Sequence, residues 1–126
     1  MEQAKTILYV EDSQDNRTLV RRVLQSEGFQ VLEAEDASHA MLVLNDQRPD
    51  LILMDINLPE VDGYSLTTHL KLRPELRSVP IIALTANVMK GDRERSLEAG
   101  CDGYIQKPVN VDTLAEQIES YILRSR

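Results

Sequence analysis

The chain has 126 residues, the usual length of one domain, and 42% of them are hydrophobic, enough for one core. A net charge of −7, with 21 acidic and 14 basic residues and no extended basic cluster, argues against direct nucleic-acid binding. The single Cys101 allows no internal disulfide, and neither a signal peptide nor a membrane-spanning apolar run is visible. We therefore expect one domain over residues 1–126, located in the cytoplasm and acting away from membranes and nucleic acids.

Five short apolar runs have the composition of β-strands, and a helical pattern follows each of them. The predicted strands are Thr6–Val10, Gln30–Ala34, Leu51–Met54, Pro80–Leu84 and Gly103–Gln106. The second is the most polar and is expected near a sheet edge. Leu51–Met54 is apolar throughout, which is typical of a central parallel strand that is buried on both faces. Strict alternation of strands and helices predicts a parallel sheet with helices on both faces.

The five predicted helices follow these strands in order. The first opens at Ser13 or Gln14, the second is capped by Asp36, and the third runs roughly from Tyr64 to Leu72. The last begins after a cap at Asn110. The residues expected on buried helix faces are Leu19, Val20, Val23 and Leu24; Ala37, Ala40, Met41 and Leu44; Leu66 and Leu70; and Val111, Leu114, Ile118, Tyr121 and Ile122.

The fourth helix, from about Lys90 to Ala99, is unusually polar, and Leu97 is its one large apolar residue. Few buried contacts predict a lightly anchored helix of low local stability. Its basic residues Lys90, Arg93 and Arg95 are candidates for contact with a partner. A solvated polar face is the alternative explanation for them.

The candidate site residues follow every predicted strand except the second. Glu11 and Asp12 follow the first, Asp55 the third, Thr85 the fourth and Lys107 the fifth. In a parallel sheet the carboxyl ends of the strands share one edge, which is where ligands bind in open α/β sheets. Each residue alone has an ordinary explanation, such as a turn-starting Asp or a solvated Lys. Together they predict a polar cluster at that edge.

Three carboxylates in one cluster require compensation. At about 4 Å and an effective dielectric constant near 20, two carboxylates repel by roughly 4 kcal/mol. Lys107 supplies one positive charge, and a hard divalent cation such as Mg²⁺ (or Mn²⁺) would supply two more. A metal, a lysine, a hydroxyl and a positioned carboxylate are the components of a phosphoryl-transfer site in which the carboxylate is the nucleophile.

With these motifs the chain resembles, over its whole length, the response-regulator receiver domains of bacterial two-component signalling. The matching segments are Ile7–Asp12, Leu51–Pro59, Asp62-Gly63, Leu84–Ala86 and Lys107-Pro108. The resemblance implies an α/β fold of the (βα)5 flavodoxin-like type, a doubly wound, five-stranded parallel sheet with strand order 2-1-3-4-5. It implies either a stand-alone regulator or a receiver from a hybrid kinase.

The resemblance also implies the chemistry of the cluster. Asp55 would accept a phosphoryl group from a phosphohistidine on a histidine kinase or a histidine phosphotransfer protein. Mg²⁺ would be held by Asp12, Asp55 and the backbone carbonyl of Asn57, with Glu11 acting partly through water. Such a domain catalyses only its own phosphorylation and dephosphorylation, so we expect it not to be an enzyme with turnover.

A conformational switch is implied as well. Thr85 and Lys107 would contact the phosphoryl oxygens, and the Lys107-Pro108 peptide bond would be cis. Tyr104 matches the switch aromatic of the family, so Thr85 would move toward the phosphate and Tyr104 would swing inward behind it. The face of the fourth helix, fifth strand and fifth helix would then signal to a downstream protein and support a possible homodimer.

Other functions are weighed against this one. A Mg²⁺-dependent phosphatase with an aspartyl nucleophile would carry a second aspartate where Asn57 stands, and it would need a cap domain. A flavin-binding module would need an uncharged phosphate loop after the first strand, where Glu11-Asp12 would repel the phosphate. A phosphorylation-independent interaction module is the remaining alternative.

Overall fold

The computed structural model describes residues 4–58, 61–86 and 92–125, and over these residues five parallel strands alternate with five helices. The strands are β1 (Thr6–Val10), β2 (Gln30–Ala34), β3 (Leu51–Asp55), β4 (Ile81–Thr85) and β5 (Gly103–Gln106). The helices are α1 (Gln14–Ser26), α2 (Ala37–Asp46), α3 (Gly63–Lys71), α4 (Asp92–Ala99) and α5 (Leu114–Arg124), with a short 3-10 helix at Pro74–Leu76. The strand order is β2-β1-β3-β4-β5, which confirms the predicted flavodoxin-like sheet.

The core lies on both faces of the sheet because successive side chains of a strand point to opposite faces. Along β1, Ile7 and Tyr9 join the cluster that packs against α1 and α5. Leu8 and Val10 join the cluster that packs against α2 and α3. All five residues of β3 are buried, as expected for a central strand, whereas β2 is partly exposed at the sheet edge.

Side-chain caps position the starts of three helices. Ser13 Oγ accepts a hydrogen bond from the backbone N–H of Asn16 at the start of α1. Asp36 Oδ1 caps α2 through the N–H of His39, and Asp62 Oδ1 caps α3 through that of Ser65. The Asp62 cap starts α3 one residue earlier than predicted. No helix among the described residues is long and apolar enough to cross a membrane.

Three local predictions are wrong. Leu19 on α1 and Val111 before α5 were predicted to be buried, but 48% and 43% of their surfaces are exposed. Asn110 does not cap α5, which begins at Leu114; its Oδ1 accepts a hydrogen bond from Asp112 N in the preceding turn. A helical period identifies a face but not how far the neighbouring elements cover it. The predicted start of the fourth helix at Lys90 lies outside the described residues.

Candidate phosphoryl-transfer site

The ends of β1 and β3 bring three carboxylates together. Val10 and Met54 are partners in the β1–β3 pairing, so the acids that come next along each strand lie side by side. Glu11, Asp12 and Asp55 each place a carboxylate oxygen within 4.8 Å of the other two. Glu11 and Asp55 are buried, whereas Asp12 is exposed. The edge therefore presents one open and two enclosed carboxylates.

Lys107 bridges the two buried acids. Its Nζ lies 3.0 Å from Glu11 Oε1 and 3.0 Å from Asp55 Oδ1. The backbone N–H of Lys107 donates to the carbonyl of Thr85 at 2.7 Å, which ties the residue to the end of β4. The following peptide bond to Pro108 is cis, as the resemblance implied. Residues separated by about a hundred positions in the chain thus form one ion-paired cluster.

Glu11 is fixed by two residues that reasoning from the sequence missed. The Tyr9 hydroxyl donates to Glu11 Oε1 at 3.0 Å, and Arg17 Nη1 donates to the Glu11 backbone carbonyl at 2.6 Å. The backbone N–H of Ser13 donates to Oε2 at 3.3 Å. A spacing of two along an extended segment places Tyr9 on the same side as Glu11, and that was the available signal. Nothing in the sequence singled out Arg17.

A glycine at the start of α3 lies against the end of β3. The backbone N–H of Asn57 donates to Asp55 Oδ1 at 3.1 Å, and Asn57 itself is exposed. Gly63 N donates to the carbonyl of Ile56 at 2.9 Å. A Cβ on Gly63 would lie 2.5 Å from the Asp55 carbonyl oxygen and 2.8 Å from Ile56 Cα. The start of α3 therefore approaches the backbone of Asp55 as closely as only glycine allows.

The electrostatics of the cluster push the pKa values of the two buried acids apart. Burial raises the pKa of Asp55, and the neighbouring carboxylate of Glu11 raises it further, to about 6. Burial also acts to raise the pKa of Glu11, but its interactions with Asp55 and Lys107 outweigh it and lower that pKa to about 2. Burial works against the charge of Lys107, yet hydrogen bonds to Glu11 and Asp55 leave its pKa raised. Glu11 is thus the more firmly ionised of the two buried acids.

The donor set fits a hard divalent cation. Three carboxylates face a single ammonium group, so the cluster keeps an excess of negative charge when all are ionised. Carboxylate and carbonyl oxygens are the ligands that Mg²⁺ prefers, and this ion uses one or two carboxylates while retaining water. Asp12 and Asn57 are both exposed, so solvent reaches the ligands on this side of the cluster.

The residues expected to form the switch lie on the two neighbouring strands β4 and β5. Thr85 is buried at the end of β4, and Tyr104 on β5 is half-buried against the cluster that packs on α2 and α3. Thr85 is paired in register with Gln106 of β5, so the two strands bearing the switch residues are adjacent. Thr85 therefore ends β4 at the acidic edge, and Tyr104 lies earlier along the adjacent strand β5, in register with Ala83.

Polar contacts hold α4 against α3. Ser96 is 1% exposed and its hydroxyl lies 3.5 Å from that of Tyr64, whereas Leu97 is 55% exposed. The guanidinium of Arg95 lies over the ring of Tyr64, 4.6 Å from its centroid. Arg95 therefore has an intramolecular role in addition to any partner contact. Lys90 and the side chain of Arg93 lie outside the described residues.

Comparison with known proteins supports this geometry. The family model of the response regulator receiver domain matches residues 7–119. The polar-differentiation response regulator DivK of Brucella anthropi is 43% identical over 118 residues, which cover 94% of this chain and 96% of the relative.

Solved structures agree in fold. The receiver domain of a sensor histidine kinase from Pseudomonas aeruginosa, with a magnesium ion coordinated in its active-site cleft, is 41% identical with a TM-score of 0.86, covering 94% of this chain and 98% of that one. The receiver domain of a histidine kinase from Syntrophus aciditrophicus is 37% identical with a TM-score of 0.87, covering 96% and 92%.

Proposed function

This chain belongs to the response regulator receiver domain family, the phospho-acceptor domains of two-component signalling, and on that premise we propose that Asp55 accepts the phosphoryl group. The observation that supports this most is the environment of its carboxylate. It lies at the end of β3, is 2% exposed, and has Lys107 Nζ 3.0 Å from Oδ1. A buried carboxylate beside a fixed cation at a ligand-binding sheet edge is placed to act as a nucleophile.

The transfer step follows from this placement. A carboxylate oxygen of Asp55 attacks the phosphorus of a phosphohistidine, the new P–O bond forms as the P–N bond breaks, and the imidazole leaves with the electron pair and takes up a proton. Lys107 and the hydroxyl of Thr85 stabilise the charge on the phosphoryl oxygens. Mg²⁺ (or Mn²⁺), held by Asp12, Asp55 and the carbonyl of Asn57, with Glu11 acting partly through water, would offset the remaining charge on those oxygens.

Receiver domains of response regulators interact with histidine kinases and with downstream targets. For this chain we assign the phosphodonor to a histidine kinase or a histidine phosphotransfer protein in the cytoplasm. Phosphorylation draws Thr85 toward the phosphate, Tyr104 turns inward, and the face of α4, β5 and α5 signals to a protein target or to a second copy. The domain acts through self-catalysed transfer and hydrolysis, without turnover of a separate substrate.

The test is intact-mass analysis after incubation with acetyl phosphate and Mg²⁺. We expect one added phosphoryl group on the wild type and none on Asp55→Asn, and we expect EDTA to prevent the addition. Asp46→Asn, which removes an exposed carboxylate at the end of α2, is the matched control and should be phosphorylated like the wild type. Phosphorylation of Asp55→Asn at the wild-type level would refute the assignment. Repeated turnover of a small phosphoester would favour the phosphatase alternative instead.

A further inference from the structure

We propose that Tyr9 is a positioning residue of this site, whose hydroxyl holds the Glu11 carboxylate in the orientation that Mg²⁺ and Lys107 require. The inference rests on the proposed function and concerns a residue that is neither a predicted metal ligand nor a predicted phosphoryl contact. Tyr9 lies on β1, two residues before Glu11, and is 1% exposed. Its hydroxyl donates to Glu11 Oε1 at 3.0 Å, so a buried donor meets a buried carboxylate.

The arrangement of donors around Glu11 gives Tyr9 a distinct task. Glu11 Oε1 accepts from both Tyr9 and Lys107, each at 3.0 Å, whereas Oε2 accepts from the backbone of Ser13 at 3.3 Å. Arg17 holds the backbone carbonyl of Glu11 and leaves the carboxylate to the other three donors. Tyr9 and Ser13 therefore orient the carboxylate from the protein side, while Lys107 is the donor shared with Asp55.

Lys107 is also the donor that has to move. When it turns toward an incoming phosphoryl group, Glu11 Oε1 loses one of its two hydrogen bonds. Tyr9 stays in place because its ring is packed in the cluster against α1 and α5. A carboxylate that stays hydrogen-bonded keeps its orientation toward the metal, in the way that outer partners fix the ligands of metal sites.

A purely structural tyrosine is the competing explanation. In that case the hydroxyl would merely satisfy a buried polar group, and its loss would lower thermal stability without changing the binding of Mg²⁺. The two explanations therefore differ in metal affinity and in the behaviour of the reaction at high Mg²⁺, not in stability.

The experiment compares Tyr9→Phe with wild type and with Tyr121→Phe, a control that removes a tyrosine hydroxyl on α5. Calorimetric titration with Mg²⁺ should give a dissociation constant for Tyr9→Phe about tenfold higher than for wild type, the effect typical of losing an outer partner of a metal ligand. The rate of phosphorylation by acetyl phosphate should fall at low Mg²⁺ and recover at saturating Mg²⁺. Tyr121→Phe should match the wild type in both measurements.

A double variant shows whether Tyr9 acts through Glu11. In a Glu11→Gln background, adding Tyr9→Phe should change the Mg²⁺ dissociation constant by much less than tenfold. If Tyr9→Phe still raised the Mg²⁺ dissociation constant tenfold in that background, the proposal that Tyr9 acts through Glu11 would be overturned.

A second measurement applies even if Tyr9→Phe folds poorly. The chain has no Trp and four Tyr, so its near-ultraviolet emission is dominated by tyrosine. A variant that keeps Tyr9 as its only tyrosine should change its emission on addition of Mg²⁺, because Glu11 links the ring to the metal site. An emission that does not respond to Mg²⁺ would contradict the proposal, as would an unchanged dissociation constant in Tyr9→Phe. Failure of the wild type to be phosphorylated at Asp55 would instead refute the proposed function.

Discussion

Gly63 lies so close to the backbone of Asp55 that a side chain there has no room. It is the first residue of α3, and its N–H donates to the carbonyl of Ile56. In Gly63→Ala the new Cβ would meet the Asp55 carbonyl oxygen at 2.5 Å and Ile56 Cα at 2.8 Å. These are backbone atoms, so no side-chain rotation relieves the contact. The start of α3 and the segment after β3 must move apart.

The size of the effect follows from these distances. Ordinary van der Waals contact begins near 3.4 Å, so the two backbones must separate by roughly 1 Å in a close-packed interior. Overpacking of this kind costs about 1–3 kcal/mol, reduced by the better helix propensity of alanine, which is at most about 1 kcal/mol. A displacement of about 1 Å of a reacting group can slow catalysis by up to about a hundredfold. We expect loss of about 1–2 kcal/mol in stability and at least tenfold slower phosphorylation of Asp55.

Gly28→Ala is the matched control. Gly28 has a φ of +92° and a Cβ added there would have no atom within 4 Å, so alanine at this position costs about 1–2 kcal/mol through backbone strain alone. Thermal unfolding should show similar losses in both variants. Mg²⁺ titration and the rate of phosphorylation by acetyl phosphate should be impaired only in Gly63→Ala. If Gly63→Ala were phosphorylated at the wild-type rate, or if both variants were impaired equally, the close approach of Gly63 to the Asp55 backbone would not explain the effect.

Two further predictions concern charge at the site. Lys107→Met leaves Glu11 and Asp55 without their shared cation, so the metal-free variant should lose about 1–3 kcal/mol of unfolding free energy, measured by thermal unfolding. Mg²⁺ should raise its melting temperature more than that of the wild type. An equal rise in both proteins would argue against charge compensation by Lys107. The pKa of Asp55 rises from 3.8 to about 6 on folding, so in the metal-free protein this carboxyl favours the folded state when protonated and that contribution is lost as pH rises through this interval. Mg²⁺ needs the ionised form of Asp55, so the affinity for Mg²⁺ should weaken below about pH 6 and binding should release a proton. Calorimetric titrations in two buffers of different ionisation enthalpy measure the affinity and the proton release. A Mg²⁺ affinity unchanged down to about pH 5 would contradict the raised pKa of Asp55.

The order of elements and the location of the site were predictable from the sequence. Alternating apolar runs and helical patterns specify a parallel sheet, and a parallel sheet puts every strand's carboxyl end at one edge. Glu11, Asp55 and Lys107 were therefore predictable as residues of one edge, and the adjacency of β1 and β3 then brings the two acids together. The exposure of Leu19 was not predictable, because burial on a helix depends on how far the neighbouring elements extend over it. Val111 is exposed because it lies in the turn before α5, outside the helix whose period predicted its burial.

The sequence by itself determined the alternating α/β class and the set of charged residues at the sheet edge, since these depend on periodicity and on the ends of strands. The strand order came from the family resemblance. Only the tertiary structure decided that Lys107 bridges two acids, that Tyr9 and Arg17 fix Glu11, and that Gly63 lies against the backbone of Asp55. These contacts join different segments at distances where a shift of about 1 Å makes or breaks a hydrogen bond. No local pattern in the chain encodes such distances, because they result from the packing of the whole domain.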